Sequence, residues 1–224
     1  MKKLQALAAL LCAGLIAAPV FAAPGPPASM SFAINADGSV ARSDAGAKVA
    51  HGGPGNYLVS LSVNVPACTF IAGIGSADTT APGAGTVTVA PGAGNKNVVF
   101  VNTYDATGSV TDLPFHLIIN CASSTREPAA AGAVAADGSV TRNLGIGGVD
   151  HTGTGTYTVN IDISPFSTTC IYPATIGTGG TTVQLPGLVS VSAGSDASAF
   201  NVYTYDIHGN AADRGFQFFA SCLD

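Results

Sequence analysis

The chain has 224 residues, with 13 acidic and 8 basic side chains, and only 9% of its residues are charged. A formal net charge of −5 excludes the extended basic surface that nucleic acids and anionic membranes require, so we expect no nucleic-acid partner. The 28 glycines and the alternating β-branched segments favour short strands joined by turns. This composition differs from that of a disordered protein.

The first 22 residues have the pattern of a signal peptide. Lys2 and Lys3 precede an apolar run over residues 4–18, and residues 20–22 are of the type that signal peptidase reads. The run is shorter than the roughly 18 to 20 apolar residues of a membrane span. We therefore expect cleavage near Ala22, a secreted or periplasmic protein, no transmembrane segment in the mature chain, and a flexible tail over residues 23–29.

The rest of the chain is a tandem duplication. The segment Ala36-Asp37-Gly38-Ser39-Val40 recurs at residues 136–140, and Gly55-x-Tyr57-x-Val59 recurs at residues 155–159. Further along, Thr-Tyr-Asp-x-x-Gly occurs at residues 103–108 and again at 204–209. We expect two similar domains, residues 30–121 and 131–224, joined by a linker over residues 122–130.

Alternation of apolar and polar side chains predicts strands in both repeats. Tyr57, Val59 and Leu61 alternate with Leu58 and Ser60, a period of two that is typical of a half-buried strand. Asp-Gly pairs at 37–38 and 137–138 predict tight turns, and we find no amphipathic helix in the mature sequence. We therefore predict an all-β fold of two tandem antiparallel β-sandwich domains, immunoglobulin-like or jelly-roll-like.

Four cysteines remain after export, two in each repeat, and an oxidising compartment makes them candidates for disulfides. Four cysteines allow three connectivities. If each repeat folds by itself, the pairs are Cys68 with Cys121 and Cys170 with Cys222. The loop-entropy model gives roughly 4 kcal/mol for closing a loop of about 53 residues.

The order of these motifs resembles a β-rich module of exported bacterial proteins of unassigned role. The shared features are A-D-G-S-V-x-R, G-x-Y-x-V, T-Y-D-x-x-G and a terminal cysteine, and they cover nearly all of both repeats. The resemblance implies a small disulfide-closed sandwich without an established catalytic activity. The cysteine spacing is also similar to that of immunoglobulin-like domains.

His51 and His151 are the first candidates for ligand binding, because each repeat has one just before its long strand. Zinc normally has three or four protein ligands, and no other ligand lies at a typical spacing from either histidine. A loop histidine that hydrogen-bonds to the backbone is therefore the favoured interpretation. We expect no metal and no cofactor.

Two aspartates near the end of each repeat are the candidates for calcium binding or acid-base chemistry: Asp105 and Asp112 in the first repeat, and Asp206 and Asp213 in the second. Neither segment has the dense run of oxygen ligands of a calcium loop, so capping of their own turns is favoured. Arg42 and Arg142 are expected to pair with one of these aspartates inside each repeat.

Three tyrosines are expected to point outward from the sheets and to offer a stacking surface for a glycan: Tyr104, Tyr203 and Tyr205. Stabilisation of the sheet by cross-strand contacts is the favoured alternative. No G-x-S-x-G elbow or phosphate-binding loop followed by a helix occurs, so we predict no enzyme and no catalytic residues.

These observations predict an exported, non-enzymatic structural, adhesive or interaction protein of the bacterial cell surface or periplasm. Its partner would be a protein or a glycan surface. The alternative is a protein that binds a glycan or another small ligand. The sequence leaves the oligomeric state open.

Overall fold

The computed structural model describes residues 29–121, 130–162 and 170–222. These residues form strands and no helix, so no helix among them is long and apolar enough to cross a membrane. The expected signal peptide, all but the last residue of the expected tail, and residues 122–129 of the expected linker lie outside the described residues. The described part is an all-β protein of four sheets.

The first repeat contains eight strands in two antiparallel sheets. The strands are β1 (Ser29–Ile34), β2 (Val40–Ser43), β3 (Ala47–Gly53), β4 (Asn56–Leu61), β5 (Cys68–Ile74), β6 (Gly85–Pro91), β7 (Val98–Asp105) and β8 (Phe115–Cys121). One sheet has the order β2-β1-β8-β5 and the other has the order β3-β4-β7-β6. Strands β5 and β6 are therefore edge strands.

The second repeat has the same arrangement. Its strands are β9 (Ala130–Val134), β10 (Val140–Leu144), β11 (Ile146–Gly153), β12 (Thr156–Ile161), β13 (Cys170–Ile171), β14 (Ala174–Ile176), β15 (Leu188–Ala193), β16 (Ala199–Tyr205) and β17 (Phe216–Cys222). The sheets are β10-β9-β17-β13, with β14 also paired to β17, and β11-β12-β16-β15. The counterpart of β5 is divided into β13 and β14 at Pro173, which has no N–H to donate to a neighbouring strand.

Each repeat has its own hydrophobic cluster, drawn from both of its sheets. Tyr57, Val99 and Phe115 belong to the first cluster, and Tyr157 and Phe216 to the second; all five are fully buried. The clusters form because one phase of each alternating strand is apolar.

The disulfides Cys68–Cys121 and Cys170–Cys222 each lie within one repeat. They join neighbouring strands of a single sheet, β5 to β8 and β13 to β17. Each bridge therefore reinforces a strand pair at the edge of its sheet.

The second repeat covers the edge strands of the first. The Phe70 N–H donates to Gln217 Oε1 at 2.9 Å, and the Ala72 N–H donates to Thr175 Oγ1 at 2.9 Å. On β6, the Val89 carbonyl accepts from the Thr178 N–H at 3.1 Å. Because unpaired edge groups invite pairing with other chains, these contacts satisfy and protect the open side of the first repeat.

The expectation that Arg42 and Arg142 pair with aspartates is wrong for the described residues. The Arg142 guanidinium donates to the Cys68 carbonyl of the other repeat and lies 5.0 Å from the centre of the Phe70 ring. Burial lowers the pKa of Arg142 to about 10. Arg42 donates to the Ala77 carbonyl at 2.7 Å. The position of Arg142 is determined by the packing of the two repeats on each other, which cannot be predicted from the sequence of one repeat.

Candidate functional site

The candidate site is a cluster of one histidine, one aspartate and one tyrosine that occurs in both repeats. We name it the His–Asp–Tyr cluster: His51, Asp112 and Tyr57 in the first repeat, and His151, Asp213 and Tyr157 in the second. It lies where the β3–β4 hairpin, or the β11–β12 hairpin, meets the loop before the last strand.

The hairpin aligns the two rings of each cluster. His51 and Tyr57 are direct cross-strand partners on β3 and β4, as are His151 and Tyr157 on β11 and β12. Cross-strand partners lie close enough for their side chains to touch. The rings of the first pair stack with centroids 5.0 Å apart, and those of the second pair 4.7 Å apart.

The aspartate of each cluster binds both the histidine and the hairpin backbone. Asp112 Oδ1 accepts from the Gly55 N–H at 2.6 Å and lies 2.8 Å from His51 Nε2. Asp213 Oδ1 does the same with the Gly155 N–H at 2.6 Å and His151 Nε2 at 2.9 Å. The backbone N–H, followed by the histidine, holds the pKa of each carboxyl below its usual value.

The glycine of the G-x-Y-x-V motif is required by this geometry. Gly55 has φ +64°, a conformation that side chains disfavour, and a Cβ there would lie 2.5 Å from the Thr103 carbonyl oxygen. Gly155 has φ +63° and is equally confined. The Gly55 carbonyl accepts from the Thr103 N–H at 2.9 Å, so this residue is bonded on both sides.

The tyrosine of each cluster extends the connection to the first turn of the repeat. The Tyr57 hydroxyl donates to the Ala36 carbonyl at 2.7 Å, and Tyr157 donates to Ala136 at the same distance. Burial, with a smaller contribution from the nearby aspartate, raises the pKa of both phenols to about 12. Each cluster thus fastens three separate backbone segments to one another.

A histidine paired with a carboxylate is also part of many hydrolytic sites, where a nucleophile bonds to the histidine. Among the described residues, no hydroxyl or thiol is hydrogen-bonded to the ring of His51 or His151. The described residues also contain no group of three or more histidine, cysteine or acidic side chains placed to hold a metal ion. What the described residues show in each cluster is hydrogen bonding among the three side chains and the backbone of the same repeat.

The four recurring aspartates divide into two kinds. Asp105 and Asp206 accept N–H groups within their own turns, from Thr107 and His208, both at 2.8 Å. For Asp112 and Asp213 the turn-cap expectation is wrong, because both carboxylates bond across the repeat.

The expectation that His51 and His151 are loop residues bonded to the backbone is also wrong, because both lie on strands and pair with aspartate side chains. The pairing of Asp112 with His51 spans 61 positions of sequence, and the recurrence of both residues was the available signal.

The tyrosines expected to bind a glycan are placed differently from one another. Tyr203 and Tyr205 are half-buried on β16, but Tyr104 is buried, with 6% of its surface exposed, so the expectation that it offers a stacking surface is wrong. Thr86, the cross-strand partner of Tyr104, donates to the Gly187 carbonyl of the second repeat at 2.8 Å. Cross-strand partners lie on the same face of a sheet, so Tyr104 is on the face of β7 that the second repeat contacts at Thr86.

A cleft of about 390 Å³ lies between the repeats. Its walls include Lys96 and Pro91 from the first repeat and Arg142, Gly179 and Thr181 from the second. Reasoning on one repeat at a time could not find it, since neither repeat forms it alone.

Comparison with protein-family models, curated proteins and solved structures found no match. The resemblance to exported β-rich modules stays a prediction, and the geometry carries the functional argument.

Proposed function

We propose that this protein is an exported, non-enzymatic structural or interaction protein of the bacterial cell surface or periplasm. Its scaffold would be two tandem β-sandwich domains, immunoglobulin-like or jelly-roll-like. The observation that carries the proposal is the His–Asp–Tyr cluster, which recurs with the same partners in both repeats and is bonded to the backbone of its own repeat.

The bonding of the cluster favours a structural role over a catalytic one. A catalytic carboxylate or imidazole needs an approach to substrate in a site that orients the reacting groups. Here Asp112 is engaged by Gly55 and His51, and His51 lies against the buried Tyr57. The same polar atoms that would do chemistry connect the first turn, the hairpin and the last loop.

The disulfides support export. Bridges such as Cys68–Cys121 persist in oxidising compartments and are rare in the cytosol. Thiol alkylation in intact producing cells, followed by mass spectrometry, tests this: all four cysteines are expected to be protected until a reductant is added. Free thiols in the accumulated protein, with residues 1–22 still attached, would contradict export.

A second candidate, binding of a small ligand or glycan, is favoured by the cleft between the repeats. Lys96 and Arg142 place two cations beside an otherwise largely apolar wall, which suits an anionic or uronic sugar. A glycan array with variants of each surface distinguishes binding in the cleft from binding to the tyrosines of β16. Binding that is lost in Lys96→Ala and kept in Tyr203→Ala/Tyr205→Ala would identify the cleft, and the reverse would identify β16.

A further inference from the structure

The two repeats contact each other through different surfaces. The first repeat contributes an edge surface, defined by Phe70, Ala72 and Val89 of β5 and β6. The second repeat contributes an acceptor face, defined by Arg142, Thr175 and Gln217 on β10, β14 and β17. A contact between unlike surfaces does not close on itself, so it leaves one surface of each kind unused.

Because the chain is duplicated, the unused surfaces have identifiable residues. The free edge surface is on the second repeat, where Ala174 and Val191 are the counterparts of Ala72 and Val89. The free acceptor face is on the first repeat, where Arg42, Gly73 and His116 are the counterparts of Arg142, Thr175 and Gln217. We propose that the free acceptor face of one chain binds the free edge surface of a second copy, so that the chains associate head to tail.

This inference rests on the proposed role as an interaction protein and names its partner as another copy of the chain. Strand β15 is the edge of its sheet, and its apolar side chains Leu188 and Val191 are 42% and 38% exposed. The corresponding strand β6 is covered by the second repeat, and its Val89 is 1% exposed. An exposed apolar edge strand is a template for pairing with another chain.

In the first repeat, the guanidinium of Arg42 already makes one of the hydrogen bonds that Arg142 makes in the packed interface. Arg142 reaches the Gly179 carbonyl with Nη2 at 3.5 Å, and Arg42 reaches the equivalent Ala77 carbonyl with Nη2 at 2.7 Å. In the packed interface Nη1 of Arg142 donates to the Cys68 carbonyl. Arg42 is exposed, and on docking its Nη1 would meet the Cys170 carbonyl of the second copy.

His116 also matches its counterpart. Gln217 donates through Nε2 to the Thr178 carbonyl at 2.8 Å and accepts the Phe70 N–H on Oε1. His116 Nε2 lies 3.2 Å from the equivalent Ser76 carbonyl. A carbonyl only accepts, so His116 Nε2 carries the hydrogen of this bond, as Gln217 Nε2 does in the second repeat.

Two differences make contact between chains weaker than contact within the chain: Gly73 lacks the hydroxyl through which Thr175 bonds to the Ala72 backbone, and His116 covers a glycine that the edge must reach. The His116 ring lies over Gly75, where a Cβ would be 3.2 Å from His116 Cδ2. At the equivalent Gly177 the covering group is Val89 of the docked edge, and the two residues form a parallel bridge. Docking of Val191 therefore requires the ring of His116 to move away from Gly75. The variant His116→Gln would remove this obstacle.

Sedimentation velocity over a range of concentrations tests the proposal on the mature full-length chain. The wild type is expected to form species that grow with concentration, His116→Gln to associate more tightly, and Arg42→Glu and Val191→Lys to associate about tenfold less tightly or more. Lys48→Glu, an equal charge reversal on the exposed side of β3, is the matched control and should behave as the wild type. Thermal melts establish that each variant is folded.

Mixing the two blocked variants distinguishes head-to-tail contact from other modes. Arg42→Glu keeps a free edge surface and Val191→Lys keeps a free acceptor face, so the mixture should form one-to-one dimers and nothing larger. Wild type and His116→Gln that both stay monomeric would overturn the proposal, as would dimers that neither variant disturbs. That failure would leave the proposed function to be decided by the thiol measurement, since another protein could still be the partner.

Discussion

The buried phenols of Tyr57 and Tyr157 predict a specific loss of stability in alkali. Each has its pKa raised from 10 to about 12, chiefly by burial. A raised pKa in the folded state means that the stabilisation is fully present below pH 10 and is lost as the pH rises through about 12. Two pKa units correspond to at most about 2.7 kcal/mol for each tyrosine.

Replacing both tyrosines with phenylalanine separates this effect from the hydrogen bonds. Near neutral pH the variant loses two bonds of 2.7 Å and leaves the Ala36 and Ala136 carbonyls without them, so we expect a cost of about 1–3 kcal/mol per repeat. Between pH 10 and pH 12 the variant should lose less free energy than the wild type, because these phenols no longer ionise on unfolding.

The assay is urea unfolding at a series of alkaline pH values, with Tyr203→Phe as the control, because Tyr203 lies outside both clusters. Equal pH dependence of the free energy of unfolding in the wild type and the double variant would refute the reasoning.

Three further outcomes follow from the same contacts. Asp112→Asn/Asp213→Asn should unfold more readily at neutral pH but lose less stability than the wild type as the pH falls below about 4. A carboxyl whose pKa is lowered in the folded state stabilises the fold at higher pH, and this stabilisation is lost as the pH falls through that lowered pKa. Acid titration monitored by circular dichroism measures the difference. Gly55→Ala should cost about 2 kcal/mol or more in urea unfolding, whereas Gly46→Ala, in open space, should cost far less. Removing the Cys68–Cys121 bridge with two serines should lower the free energy of unfolding by roughly 4 kcal/mol, and a change below about 1 kcal/mol would contradict the loop-entropy argument.

The sequence was sufficient for properties that belong to one strand or one turn. The alternation around Tyr57 placed its side chain inward, and the duplication indicated which cysteines share a repeat. Asp105 caps its turn because the groups involved are close in sequence. The position of Tyr57 and the Asp105 turn depend on local patterns, which a single chain shows directly, whereas the cysteine pairing depends on the tandem duplication.

Apart from the two disulfides, contacts between distant segments were not visible in the sequence. Nothing local relates Asp112 to His51, and only the fold brings them within 2.8 Å. Tyr104 and Arg142 depend on how the second repeat packs on the first, for which the pattern within one repeat carries no signal. The acceptor face is likewise defined by the packing of one repeat on the other.

The central claim is that the His–Asp–Tyr clusters hold the fold and take no direct part in recognition or catalysis. The most direct test measures two properties of His51→Ala/His151→Ala: the free energy of unfolding, and binding of the labelled mature protein to the cells that export it. The account predicts a loss of about 1 kcal/mol of stability per repeat, because the histidines are partly exposed, and unchanged binding by the folded protein. Unchanged stability with abolished binding, or the loss of a measured turnover, would contradict it.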